Sequence, residues 1–136
     1  WGNIWKFVYR VNIWGYGTKK GGVPYICTDF NYAESKNSEN YESAGFTLSN
    51  ENGYISAMGY SEAFDWLFMP SETVGNSSLP VGDYLYITPN LNGYKIAPLG
   101  GSWGVGSGAG AFCWRLGIGV GTRDRYVGGR LVYVPQ

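Results

Sequence analysis

The amino-acid sequence predicts a strand-dominated α+β domain with little helix. The chain of 136 residues contains twelve Tyr, six Trp and 22 Gly. Aromatic side chains favour strands, and glycines interrupt strands at turns. Several short segments alternate apolar and polar residues with a period of two, whereas only one short run has helical spacing. Because the length suits one domain, we expect a single domain over residues 1–136, with a scaffold at 1–99 and a distinct closing segment at 100–136.

The clearest strand is expected at Trp1–Trp14, where the odd-numbered positions from residue 5 onward form a wholly apolar face. A half-buried strand should turn that face toward the core and leave the opposite, mostly polar face in solvent. A polar turn rich in Gly and Lys follows at 15–22. The residues of the apolar face are Trp5, Phe7, Tyr9, Val11 and Ile13.

The rest of the scaffold should contain short strands joined by polar turns. The segment Asn31–Ser43 is rich in Asn, Ser and Glu, so we expect a surface loop or at most a short helix. Residues 61–72 (SEAFDWLFMPSE) can form a helical turn, which Pro70 ends. The remaining strands are expected at Val23–Asp29, Ala44–Leu48, Tyr54–Tyr60, Val81–Thr88 and Gly93–Leu99.

The closing segment is expected to hold two neighbouring core strands. Gly110–Leu116 alternates, with Phe112, Trp114 and Leu116 on its bulky face, and Arg130–Val134 alternates again. The two runs should pair, with residues 117–128 as their connection. Trp103 and Trp114 both stand where the alternation places a buried ring.

Two stretches of the closing segment, residues 104–108 and 117–127, have no hydrophobic period and no evident structural demand. We interpret them as ligand-facing loops. They flank opposite ends of the run 110–116, about 20 Å apart if that run is extended. They can form one site only if the glycines of the first loop let it fold back, or if both loops edge a broad face.

Composition argues against several classes of function. Ten basic and ten acidic residues give zero net charge, which does not suggest nucleic-acid binding. No apolar run approaches the roughly 20 residues of a membrane helix, so we expect no membrane insertion. The chain has no His, which removes Ser-His-Asp and Cys-His arrangements. We therefore expect no enzyme, no catalytic residues, no metal and no cofactor.

Some side chains leave alternatives open. Glu62, Asp65 and Glu72 could in principle form a glycosidase pair, but carboxylates around a polar turn are more often solvated or capping. Calcium binding through Asp65 or Asp83 lacks an Asp-x-Asp loop. For the cysteines at 27 and 113 we favour buried free thiols over a disulfide bridge, and a bridge over metal ligation.

The closing segment also has a biased residue content. Lys and Glu number eleven in residues 1–100 and are absent from 101–136, and Met and Gln are absent from 101–135. The types found in the two aperiodic stretches include Gly, Val, Arg, Ile, Thr, Asp and Tyr. All of these are reachable from an Asn codon when its adenines are replaced at random, whereas Lys, Glu, Gln, Met and Trp are not.

The motifs WGNIW, DWLFMPSE, LPVGDY, APLGGSW, AGAFCW and GGRLVYVP resemble the variable proteins of diversity-generating retroelements. The sequence is most similar to those of phages and prophages of gut Bacteroidales, and the resemblance covers essentially the whole chain. It implies a C-type-lectin-like fold at the tip of a tail fibre in the virion, or alternatively on a bacterial cell surface. It also implies that a reverse transcriptase diversifies the closing segment, and that the domain is a homotrimer within a fibre.

The resemblance implies a non-enzymatic receptor-binding domain that attaches a phage to a bacterial cell-surface receptor, either protein or glycan. Trp103, Gly110, Trp114, Arg123 and Arg125 match the fixed positions of the family. Arg and Tyr are enriched in binding hot spots, so Arg115 and Tyr126 should contribute most. Weaker variable candidates are Gly108, Val120 and Val127. The expected variable, ligand-binding positions are Gly104, Val105, Arg115, Gly117, Ile118, Thr122, Asp124 and Tyr126.

Three alternatives stay open on the sequence. A bacterial surface adhesin can use the same fold. An enzyme related to the formylglycine-generating proteins can share it too, but would need a reactive cysteine pair. A purely structural trimer cap would bind no ligand.

Overall fold

The structure, a computed structural model, describes residues 4–29, 40–119 and 121–129. A mixed sheet has the strand order β3-β2-β1-β8-β9-β7-β4, and β10 also pairs with β1, while β5 and β6 form a separate two-stranded sheet. Within the described ranges the helical structure amounts to one 3₁₀ turn at Gly106–Gly108. The expected dominance of strands is confirmed. The strands are β1 Trp5–Tyr16, β2 Val23–Cys27, β3 Tyr41–Ser43, β4 Gly53–Tyr54, β5 Ala57–Met58, β6 Pro70–Glu72, β7 Tyr84–Ile87, β8 Asn92–Leu99, β9 Trp114–Leu116 and β10 Val127–Gly128.

Strand β1 connects the beginning of the described chain to its closing segment. Its first residues pair in parallel with β10, in the register Trp5↔Val127. Its last residues pair antiparallel with β2, and β8 runs antiparallel along the opposite edge. None of the described helical structure is long and apolar enough to cross a membrane.

The predicted apolar face of β1 is wrong at two positions, because Phe7 and Tyr9 are 41% and 54% exposed. The β1–β8 register shifts between Phe7 and Asn12. In this bulge Arg10 adopts a φ of 69°, and its Nε donates a hydrogen bond of 2.6 Å to the carbonyl oxygen of Cys27. A bulge inserts extra residues and so interrupts the strict alternation of faces. Trp5, Val11 and Ile13 are buried, as expected.

Two neighbouring scaffold segments also differ from the prediction. Tyr41–Ser43, expected within a loop, forms β3 because it pairs antiparallel with β2 and buries the Tyr41 ring. Ala44–Leu48, expected as a strand, is not one. Gly45 turns the chain at a φ of 82°. Ala44 and Leu48 are buried and donate isolated backbone bonds of 2.9 and 2.8 Å to β2 and to the loop before it.

The remaining differences between the predicted and observed scaffold involve only a few residues each. The run 54–60 divides into β4 and β5, because Ile55 N–H donates to the Asp83 carbonyl while Ser56 N–H donates to that of Glu72. Within 61–72, residues 63–66 form a turn that does not extend into a helix, with Ser61 Oγ accepting the Phe64 N–H at 3.2 Å. A strand, β6, begins at the proline that was expected to end the helical turn.

Strand β9 is shorter than the predicted run 110–116. Residues 110–112 turn instead, because Cys113 N–H bonds the Gly110 carbonyl and Phe112 N–H donates to Asp83 Oδ2 at 2.7 Å. β9 lies between β8, antiparallel, and β7, parallel. The predicted strand Arg130–Val134 lies outside the described residues.

Among the described residues, Trp114 is the largest fully buried side chain, at 1% exposure. Its indole Nε1 donates a hydrogen bond of 3.1 Å to the Phe68 carbonyl oxygen, which joins β9 to the segment before β6. Leu116 is buried on the same side of β9. Of the expected bulky face, Phe112 alone is exposed, at 38%.

Replacing Trp114 by Ala should lower the free energy of unfolding by about 3–5 kcal/mol, because it leaves a large cavity and an unpaired carbonyl. Trp66→Ala is the matched control, since Trp66 is 52% exposed, and it should change stability by about 0.5 kcal/mol or less. Urea denaturation measures both. Equal effects of the two substitutions would contradict the central packing role of Trp114.

Candidate functional site

A cavity of about 350 Å³ opens on the face of the sheet opposite Trp114. Its residues come from the beginning of β1, from β7, from β9 and from both aperiodic stretches of the closing segment. Four of them are among the eight positions expected to vary. The lining consists of Trp5, Tyr86, Ser102, Gly104, Val105, Arg115 and Tyr126.

The first loop reaches the cavity by turning back over the sheet. Gly100 and Gly101 end β8 with φ values of 98° and 79°, conformations that glycine adopts without steric cost. The Val105 N–H then bonds the Ser102 carbonyl at 3.0 Å and leads into the 3₁₀ turn. At the end of that turn, a Cβ on Gly108 would lie 3.2 Å from the Tyr86 hydroxyl. The folding back that a single site requires is therefore present.

The second loop reaches the same cavity from the β10 side. Trp5 N–H donates a hydrogen bond of 2.7 Å to the Tyr126 carbonyl oxygen, one residue before the β1–β10 pairing begins. This bond fixes the end of the loop beside β1. Residues about twenty positions apart in sequence, Val105 and Tyr126, consequently line one cavity.

The floor of the cavity is built on the pairing of β7 with β9. Tyr86 and Arg115 are register partners on these adjacent parallel strands. Their neighbours in sequence, Leu85 and Trp114, are buried on the other face. Because side chains alternate along strands, a single pairing turns one set of residues into the core and the other toward the cavity.

Aromatic rings continue from the floor across β7 to β4. Trp5 packs edge-on against Tyr86 with ring centroids 6.0 Å apart. Tyr86 then contacts Tyr84 at 4.7 Å, and Tyr84 contacts Tyr54 at 5.0 Å. Burial, together with nearby Cys113 and the two other tyrosines, raises the pKa of Tyr86. Its hydroxyl therefore stays protonated at neutral pH and can donate a hydrogen bond.

The rim of the cavity carries two aromatic rings in tilted contact and a cation. Trp103 and Tyr126 have centroids 5.0 Å apart. The Arg125 guanidinium lies 5.9 and 5.1 Å from these two rings, and its Nη2 donates to the Tyr126 hydroxyl at 3.0 Å. Asp124 Oδ1 accepts the Tyr126 N–H at 3.1 Å. The rim therefore has a defined geometry.

Trp103 was expected to be buried, and that expectation is wrong, since the side chain is 60% exposed. The strand alternation that predicted burial ends at Gly100 and Gly101, before it reaches this ring. Trp103 and Arg125, both assigned to fixed positions, belong to the rim of the site.

A smaller cavity of about 150 Å³ adjoins the first. Tyr86 and Arg115 line both cavities and form the ridge between them. The backbone N–H of Ile96 in β8 donates to the Ile118 carbonyl at 3.1 Å, which holds the chain beyond β9 in place. The lining consists of Asn52, Tyr86, Ile87, Thr88, Arg115, Leu116, Gly117 and Ile118.

Two of the eight expected positions line neither cavity. Thr122 N–H closes a turn on the Gly119 carbonyl at 3.1 Å. Asp124 is exposed and caps the turn before β10. Both lie in the loop that carries Tyr126, so they shape the rim rather than the cavity.

Gly117 differs from the other expected positions in its backbone. Its φ is 131°, and a Cβ would lie 2.3 Å from Thr88 Oγ1 and 3.0 Å from Thr88 N. Gly104, in contrast, has only ordinary contacts at 3.8 Å or more, and Gly119 has open space. A side chain at residue 117 therefore requires a local shift of the backbone or of Thr88.

Both cysteines are buried and unbridged. Burial, followed by the charge of Asp83, raises the pKa of the Cys113 thiol to about 12. Cys27 Sγ donates to the Asp29 carbonyl oxygen at 2.8 Å. Among the described residues, no group of three or more His, Cys, Asp and Glu side chains is placed to hold a metal ion.

Comparisons of the chain with protein-family models, curated proteins and solved structures found no match.

Replacing Gly117 by Ala should destabilise the fold by about 1–3 kcal/mol, because an L-residue is strained at this φ and contacts Thr88. Gly119→Ala is the matched control and should be close to neutral, since nothing lies within 4 Å of its Cβ position. Thermal and urea unfolding of the two variants provide the comparison. Equal stability would show that the backbone at residue 117 adapts freely.

Iodoacetamide should leave Cys113 unmodified in the folded protein at pH 8–9, because its thiol is buried and its pKa is raised to about 12. Denaturation should expose the thiol to rapid modification, as measured by mass spectrometry of the peptide. Burial raises the pKa of the Cys113 thiol above its usual value of 9.0. The contribution of the protonated thiol to the free energy of unfolding is therefore fully present below pH 9 and is lost as the pH rises toward 12. Fast labelling of the native protein would contradict the buried, protonated thiol.

Proposed function

We propose that this protein is a non-enzymatic receptor-binding domain with a C-type-lectin-like fold, placed at the tip of a phage tail fibre. The closing segment displays its exchangeable side chains to a bacterial cell-surface receptor. One observation carries the proposal: Gly104, Val105, Arg115 and Tyr126, expected to vary on sequence grounds alone, line one cavity.

The placement of these residues separates recognition from folding. Arg115 projects from β9 on the face opposite Trp114 and Leu116, which are buried. Residues 104 and 105 lie in a loop that contributes no buried core side chain. Side chains on loops and on the outward face of a strand can change without disturbing core packing. The cavity is also within the size range of ligand sites.

The motifs that suggested the family meet one another in the fold. Trp114 of AGAFCW donates to the Phe68 carbonyl of DWLFMPSE. A Cβ on Gly110 would lie 2.2 Å from a carboxylate oxygen of Asp83 in LPVGDY, so a side chain there would displace the carboxylate that accepts the Phe112 N–H. Such contacts give Gly110 and Trp114 a packing role and support the proposal of a fixed scaffold around an exchangeable surface.

The alternatives rank below this proposal on specific grounds. A bacterial surface adhesin with the same fold would use the same cavity. It differs from the proposal only in that the domain is attached to a bacterial cell surface instead of a phage tail fibre. An enzyme related to the formylglycine-generating proteins needs a reactive thiol, whereas the Cys113 thiol is buried with a raised pKa. A homotrimer within a fibre stays part of the proposal, on the strength of the resemblance.

The most direct test is to sequence the 3′ end of the gene across a population of its carriers, together with the neighbouring DNA. Substitutions confined to adenine-derived codons between residues 104 and 127, beside a near-copy of that segment and a reverse transcriptase gene, are expected. A uniform sequence without a second copy would contradict the diversified surface.

The double variant Arg115→Ala/Tyr126→Ala should fold normally and lose cell attachment by about tenfold or more, since both side chains line the cavity. Binding of the fluorescently labelled full chain to a panel of gut Bacteroidales strains is the measurement. Lys19→Ala/Tyr60→Ala is the control, because it removes one cation and one exposed tyrosine elsewhere. Equal attachment of the two double variants, or loss of the cooperative melt in the first, would refute this role.

A further inference from the structure

Arg115 carries a positive charge that no other described group of the protein pairs. Its side chain is half-buried on the ridge between the two cavities. Within the described part of the chain, its guanidinium forms no hydrogen bond and no ion pair. A guanidinium presents several N–H donors in a rigid planar fork that matches a carboxylate. An unpaired guanidinium at the wall of a cavity can therefore bind the carboxylate of a ligand.

The surroundings of Arg115 also favour an anion. Neither cavity is lined by Asp or Glu. Residues 100–136 contain four Arg and one Asp, a net charge of +3, whereas residues 1–99 contain six basic and nine acidic residues, a net charge of −3. An otherwise neutral chain therefore concentrates positive charge in the segment that builds the site.

Neutral donors and aromatic rings complete the arrangement. The Tyr86 hydroxyl lines the same cavity as the Ser102 side chain. It is protonated at neutral pH, as tyrosines ordinarily are, and burial raises its pKa further. On the rim, Trp103 is 60% exposed and lies against Tyr126 in a tilted ring contact. The C–H faces of a pyranose ring pack well against such rings, and sugar hydroxyls bond to phenol and serine hydroxyls.

A peptide ligand fits the arrangement less well. Strand addition, a common mode of peptide capture, requires an exposed sheet edge. β9 lies between β8 and β7, and β7 lies between β9 and β4, so the strands under the cavity have no free edge. The site combines a cation, hydroxyl donors and a ring platform instead.

We infer that the cavity binds an acidic saccharide whose carboxylate is held by the Arg115 guanidinium while a sugar ring packs on Tyr126 and Trp103. This inference rests on the proposed function, because it names the ligand class of the same site. Since Arg115 is itself an expected variable position, the preference for an acid belongs to this variant of the surface.

Calorimetric titration of the full chain with tetragalacturonate tests the inference, with the methyl-esterified tetrasaccharide as the uncharged ligand control. The acid should bind and the ester should bind at least about tenfold more weakly, because hydrogen bonds to charged groups contribute strongly. Binding of the acid should also weaken as salt concentration rises. Equal affinity for acid and ester, or no binding of the acid at about 10 mM, would overturn the inference.

Arg115→Gln should reduce the affinity for tetragalacturonate by about tenfold or more, whereas Arg115→Lys, which keeps the charge but loses the planar fork, should lie in between. Arg123→Gln is the matched control, since it removes an exposed Arg of the same segment that lines neither cavity. Equal losses in the variants at residues 115 and 123, or preferential binding of tetraglutamate, would refute the saccharide site. Circular dichroism melts establish that the variants fold.

The two proposals fail in different ways. A diversified gene whose product binds acid and ester equally leaves the receptor-binding proposal standing and removes the acidic ligand. A uniform gene whose product binds the acid through Arg115 removes the diversified surface and leaves the acidic-saccharide site standing.

Discussion

The parallel pairing of β7 with β9 is the interaction on which the rest of the structure depends. In the register Leu85↔Trp114 and Tyr86↔Arg115, one pair lies in the core and the next pair faces the cavity. Core packing and the lining of the cavity are thus assigned to alternate residues of the same three-residue strand. On the core face, the Trp114 indole donates a hydrogen bond to the Phe68 carbonyl. On the opposite face, Arg115 and Tyr86 line the cavity.

Much of the architecture can be predicted from local sequence, and the predictions that were wrong have physical causes. Periodicity located β1, β2, β7 and β8 and indicated the scarcity of helix. It misjudged Phe7 and Tyr9, because the Arg10 bulge is held by a bond to the Cys27 carbonyl, a contact that no local pattern reports. It also misjudged Trp103, because two left-handed glycines ended the strand before that ring.

Only the part of the candidate site that the closing segment contributes was predicted from the sequence. The family resemblance indicated Gly104, Val105, Arg115 and Tyr126, and the residue bias of the closing segment left a trace in composition around the same positions. Trp5 and Tyr86 left no such trace. They belong to the scaffold and enter the cavity through long-range pairing of β1 with β10 and of β7 with β9. The special backbone of Gly117 likewise depends on its approach to Thr88.

The Arg125 contact with Tyr126 makes neighbouring positions of the rim depend on each other. Arg125 donates to the Tyr126 hydroxyl and lies over both rim rings, so its location depends on which side chain occupies residue 126. Exchanging that tyrosine for a small residue removes a ring and also releases a guanidinium to find another partner. A single substitution at residue 126 therefore alters two side chains of the rim at once, and the effects of substitutions at neighbouring rim positions should not be additive.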